Sequence, residues 1–169
     1  AVRRRIQPLL ARTGAAPARD PGEVATLADV VFTCLPDEDA TESVYLGSAG
    51  LVEACRSTNL FVETSTIGPA LARRIAGEAS AKGAGYLDAP VSGGSWGADQ
   101  GTLTIMAGGA PETFDRCLPV LEAMGKSITL MGPSGMGQTT KLVNQILVAG
   151  TASAVAEALV FAAAQGADL

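Results

Sequence analysis

The chain has no histidine among its 169 residues, and this absence excludes a good deal of chemistry. Nucleophilic triads that rely on an imidazole base, and zinc centres with histidine ligands, are both out of reach. Cysteine is scarce: Cys34, Cys55 and Cys117 make an odd number with no metal-binding spacing. That suits a reducing cytoplasm and offers no metal site. Cys34 lies in an apolar run and is expected to be buried. Positive charge is thin. Twelve Lys and Arg against seventeen Asp and Glu leave a net charge of -5, which argues against nucleic acid as the main partner. The one dense basic run, Arg3-Arg4-Arg5, reads as a solvated helix start. No secretory leader is visible. The alanine-rich stretch near the C-terminus is interrupted by Glu157 and small residues, so it reads as a packed helix and not as a membrane span.

What is present is a well-formed α/β pattern. Hydrophobic residues make up 47% of the chain, enough for one domain with a real core. Val30 to Leu35 is a β-branched apolar run stopped by Pro36, and Asp37 can cap a short helix through Tyr45. Further strands are predicted at Leu60–Val62, Tyr86–Asp88, Leu103–Met106 and Ser127–Met131. Helices are predicted from about Pro69 to Lys82, from Pro111 to Met124, and from Gln138 to Ala164, the first two with Pro early and Gly just beyond the end. Strands spaced by helices imply βαβ units and a Rossmann-like, mostly parallel sheet. The final helix is long for a crossover and reads as a bridge out of the domain.

Two stretches stand out. Asp88 to Gly109, DAPVSGGSWGADQGTLTIMAGG, places glycines and small polar residues between two strand-like pieces. Ser92, Gly93 and Gly94 there read either as a nest of N–H groups and a hydroxyl that holds a carboxylate, or as a plain turn. Gly132 to Gln145, GPSGMGQTTKLVNQ, nearly fits the phosphate-binding loop of a nucleotide hydrolase, but Gln138 stands where the lysine belongs, and a neutral amide does not supply that charge. Gly135-Met136-Gly137 also approaches the dinucleotide pattern, but it follows the last strand instead of the first. Lys141, Asn144, Gln145 and Val148 fall at i, i+3, i+4 and i+7 and share a helix face. By itself, Lys141 reads as a snorkelling surface lysine or as a site residue.

At these stretches the sequence resembles the β-hydroxyacid dehydrogenase family, which includes 3-hydroxyisobutyrate dehydrogenase and tartronate semialdehyde reductase. Val30 to Asp37, VVFTCLPD, is similar to the strand and Leu-Pro turn beside the cofactor. Glu63-Thr64-Ser65-Thr66 is similar to a motif whose last residue contacts the cofactor. Asp88 to Gly94 resembles the substrate-binding motif, and Gly135 to Gln145 the catalytic one. The resemblance implies an NAD- or NADP-dependent oxidoreductase acting on a small carboxylate substrate, homo-oligomeric and cytoplasmic, with no nucleic-acid or membrane partner. Lys141 would be the acid/base, with Asn144 or Gln145 as its amide partner. Ser92, Gly93 and Gly94 would bind substrate, and Leu35, Pro36 and Thr66 would flank the cofactor.

The family's GxGxxG on a first strand is not in this sequence. Residues 1–132 are therefore expected to be a nucleotide-binding domain without its first βαβ unit. Residues 133–169 are expected to be the helix leading to an all-helical domain. Both ends are expected to be cut, one sheet edge to be open, and NADH binding by the 169 residues alone to be weak or absent.

Overall fold

The computed structural model describes residues 8 and 10–169, so the Arg3-Arg4-Arg5 run lies outside the described residues. Six strands form one sheet: β1 Val30–Thr33, β2 Leu60–Glu63, β3 Gly85–Asp88, β4 Val91–Ser92, β5 Leu103–Gly109 and β6 Gly125–Gly132. From residue 21 onward the helices are α1 Pro21–Leu27, α2 Glu38–Leu46, α3 Leu51–Ala54, α4 Pro69–Ala81, α5 Gly94–Asp99, α6 Pro111–Leu121 and α7 Met136–Ala164. Helix starts carry local signals. The Asp20 carboxylate accepts from the Glu23 N–H at 2.8 Å and Asp37 from the Ala40 N–H at 2.8 Å, each satisfying an otherwise orphaned donor.

β1, β2 and β3 run parallel, with Val30 opposite Leu60 and Leu60 opposite Gly85. The crossovers through α2–α3 and through α4 are those the alternating pattern predicted. The sheet then departs from expectation. β5 runs antiparallel to β3, pairing Asp88 with Gly108, and antiparallel to β4, pairing Ser92 with Thr104. The chain bends at Ala89-Pro90, so β3 and β4 lie along the same edge of β5, while β6 pairs parallel on its other edge. The result is a curled, mostly parallel Rossmann-like sheet followed by a long helix. β1 pairs only with β2, which leaves its other edge without a strand among the described residues.

Side-chain alternation splits the core in two. Phe61 and Tyr86 point to one face, where Tyr45, Leu51, Leu71 and Ile75 pack. Leu60, Val62 and Leu87 point to the other, against Ile105, Cys117 and Leu121. This period-two sorting is what a strand covered on both faces requires. Cys34 is exposed, not buried as expected. Val31 and Thr33 take the inward positions of β1, and Cys34 sits just beyond its carboxyl end.

Candidate active site

Three motifs meet at the carboxyl ends of β1–β3, the edge where open α/β sheets bind ligands. Each has an inner part that is locked and a tip that is displayed. After β2, Glu63, Thr64 and Ser65 are buried while Thr66 is exposed. The Glu63 carboxylate accepts from the Thr33 hydroxyl at 2.7 Å and from the Ser65 N–H at 2.6 Å. Thr33 in turn shares a 2.8 Å hydrogen bond with the Tyr45 hydroxyl. The Leu35 N–H donates to Ser65 Oγ at 2.6 Å, and the Thr64 hydroxyl donates to the Thr33 carbonyl at 2.7 Å. The loops after β1 and β2 are thus one unit, with Leu35 half-buried and Pro36 and Thr66 turned outward. Burial raises the Glu63 carboxyl above its ordinary pKa, with its hydrogen bonds opposing.

After β3, Asp88, Ala89 and Pro90 are buried, Val91 and Ser92 are half-buried, and Gly93 and Gly94 are exposed. The part of this stretch that reads as loop in the sequence contains β4 and the one-and-a-half turns of α5. Ser92 ends β4 and Gly94 opens α5, so the N–H groups after Ser92 belong to a first helical turn, where donors lack intrahelical partners.

The third motif opens α7. Gly135 is the N-cap with φ of 90°, a left-handed conformation that favours glycine. Gly137 is pressed against the sheet, and a Cβ there would collide with the carbonyl oxygens of Met106 and Asp88. Both oxygens of Asp88 receive this turn: the Gly135 N–H donates to Oδ1 at 2.7 Å and the Gln138 N–H to Oδ2 at 2.9 Å. The helix N-terminus that resembled a dinucleotide cradle is therefore filled by the chain's own carboxylate. Burial lifts Asp88 to a pKa of about 6, against the pull of those N–H bonds.

Gln138 is fully buried. Its Nε2 donates to the Ser65 carbonyl at 2.8 Å, and its Oε1 accepts from the Ile67 N–H at 3.1 Å. An amide with both ends committed to backbone is not aimed at a phosphate, which opposes the hydrolase reading. One turn on, Lys141 is only 7% exposed. No carboxylate pairs with it among the described residues, and burial lowers its pKa. Asn144 is half-buried and Gln145 exposed, so inward reach declines along this face. The structure joins the Leu35, Thr66 and Lys141 segments through Ser65, Ile67 and Gln138, and joins the Ser92 segment to them through Asp88. Asp88 and Gln138 were not singled out as site residues from sequence. Their signals were a charge ending the apolar Tyr86-Leu87 run and an amide at the start of an apolar helix.

Comparison with known proteins agrees with this fold. Residues 2–132 match the NAD binding domain of 6-phosphogluconate dehydrogenase. Residues 135–169 match the NAD-binding segment of NADP-dependent 3-hydroxyisobutyrate dehydrogenase. The chain is 43% identical over 155 residues to 2-hydroxy-3-oxopropionate reductase of Escherichia coli, covering 92% of this chain and 53% of the relative. It is 47% identical over 133 residues to 3-hydroxyisobutyrate dehydrogenase of Pseudomonas aeruginosa, covering 76% of this chain and 45% of the relative. Among solved structures, Mycobacterium tuberculosis 3-hydroxyisobutyrate dehydrogenase with L-serine superposes with a TM-score of 0.86 at 39% identity, covering 94% of this chain and 53% of that one. The chain spans about half the length of the relatives it matches.

Proposed function

The chain belongs to the β-hydroxyacid dehydrogenase family, and from that membership we propose that its protein is an NAD- or NADP-dependent oxidoreductase interconverting a small β-hydroxyacid and its semialdehyde or keto form. Compounds of the kind named for its relatives, 2-hydroxy-3-oxopropionate and 3-hydroxyisobutyrate, are the substrates to try first. The observation that carries the reading is Lys141, a lysine only 7% exposed with no counter-ion among the described residues, one turn beyond the Gln138 amide that ties α7 to the loop after β2. On this reading residues 1–132 are part of a nucleotide-binding domain. The exposed apolar length of α7 is covered by further helical protein in a homo-oligomer.

The residues present fit the nicotinamide end of such a cofactor. Pro36 and Thr66 are exposed at the carboxyl ends of adjacent parallel strands while the backbone behind them is locked, so Leu35, Pro36 and Thr66 would hold it. NAD(P), when bound, supplies or accepts the hydride. Ser92 and the N–H groups of Gly93 and Gly94 anchor the substrate carboxylate. Lys141 holds the moving proton: neutral, it takes the proton of the substrate hydroxyl, and as ammonium it donates to the carbonyl oxygen. The lowered pKa keeps both forms accessible nearer neutrality. Oxidation should therefore rise with pH through a midpoint below the ordinary lysine range, and reduction should fall through the same midpoint. Asn144 or Gln145 orients the substrate oxygen.

The test is Lys141→Ala in the complete polypeptide. Turnover of small β-hydroxyacids should fall by about 10²–10⁴ with NADH affinity unchanged. Unchanged kcat would overturn the role of Lys141, whereas no turnover in the unmodified protein would favour a non-catalytic binding module on the same fold.

A further inference from the structure

The start of α7 is held by more polar contact than an ordinary crossover helix needs. Asp88 is fully buried at the end of β3 with both oxygens committed to the N–H groups of Gly135 and Gln138. Space for this is reserved on the neighbouring strand, because a Cβ on Gly108 would lie 2.7 Å from Asp88 Oδ1. From the other side, the Gln138 amide ties the same turn to Ser65 and Ile67 in the loop after β2. Two segments of the sheet edge thus grip one helical turn, and Lys141 follows on the next. We propose that Asp88 and Gln138 are positioning residues for Lys141: together they fix the axial position and rotation of the α7 start, so that the amine emerges at one place with its stem buried.

The chemistry favours positioning over simple stability. Asp88 has no cation paired with it among the described residues; such a buried carboxylate costs free energy even when hydrogen-bonded, and well-packed apolar residues would hold a helix more cheaply. The raised pKa of Asp88 is the signature of that cost. What the polar grip adds is direction, since each bond fixes a particular backbone atom. The inference rests on Lys141 being the proton-transfer group, but it can be tested without turnover.

In the unmodified protein, amide hydrogen exchange at Gly135 and Gln138 should be about tenfold or more slower than at the exposed last turns of α7. Then Lys141 acylation is followed by mass spectrometry across pH in the unmodified protein, in Asp88→Asn and in Gln138→Met, with the exposed Lys126 as internal control. Either variant that folds should move the Lys141 midpoint upward, toward the ordinary lysine range, while Lys126 labelling stays unchanged. An unmoved midpoint in a folded variant overturns the proposal and leaves Asp88 and Gln138 as structural groups only. If neither variant folds, the exchange rates decide: fast exchange at Gly135 and Gln138 overturns it as well. Labelling reads the amine and not catalysis, so a dispensable Lys141 would sink the proposed function without altering this result.

Discussion

The two ends of α7 reverse the usual rule for a helix. In its first turns the polar residues are inside, with Gln138 fully buried and Lys141 7% exposed. Further along the apolar residues are outside, with Ile146 72% and Phe161 69% exposed. By length and composition this helix could cross a membrane, with a mean hydropathy of 1.9 over its most apolar 18 residues. Yet its one well-packed turn is the one that carries an amide and a lysine. Burial of polar groups needs partners and costs free energy, whereas an exposed apolar residue needs neither. Under the proposed function the first end carries the chemistry, and the second offers a surface for other protein to cover.

The contrast can be broken most sharply at Gly137. A Cβ there meets backbone oxygens on two strands, so Gly137→Ala should destabilise the chain by about 3–4 kcal/mol or prevent folding, read as a chemical-denaturation midpoint. Asp88 gives the next effect. Its pKa rises from 3.8 to about 6 on folding, so its protonated form favours the folded state. Its contribution is full below the unfolded pKa and is lost as pH rises through about 6. The difference in stability between the natural chain and Asp88→Asn should therefore drift by about 3 kcal/mol across that window, against the natural chain as pH rises. A flat difference would mean that Asp88 is not buried as described. Gln138→Met leaves the Ser65 carbonyl and the Ile67 N–H unpaired and should cost about 1–3 kcal/mol by thermal or chemical unfolding. At the other end of the helix, Ile146→Ala in the 169-residue chain should change stability by less than about 0.5 kcal/mol. A larger loss there would show that the apolar stretch is already covered.

Much of this was legible in the sequence. The β-branched run ending at Pro36, the Pro-initiated helices and the three motif stretches located the parallel strands and the loops at their carboxyl ends. What escaped has physical reasons. Leu103 to Met106 is buried almost throughout, and a short run buried on both faces carries no sign of strand direction, so its antiparallel pairing with β3 and β4 was not readable. Glycine-rich text hid α5, because glycine is a poor helix former. Asp20-Pro21 with Glu23 carries the signature of a helix start, and α1 begins there. Cys34 was misplaced because one residue past a strand end the inward–outward alternation no longer applies. Within the motifs the residue types were visible, but their division into locked inner part and displayed tip was not. Gln138 shows this well: in the sequence it is a lysine missing from a phosphate loop, and in the fold it is a buried tie between two segments.

The central claim is that catalysis belongs to the buried polar end of α7 and not to its exposed apolar length. The most direct measurement compares kcat of Lys141→Ala and Ile146→Ala in the complete polypeptide, at saturating cofactor. A loss of about 10²–10⁴ is expected for the first, and for the second, in protein that folds, a change within about tenfold, because Ile146 carries no group that can hold a proton. Equal effects of the two substitutions, or an unchanged kcat for Lys141→Ala, would contradict it.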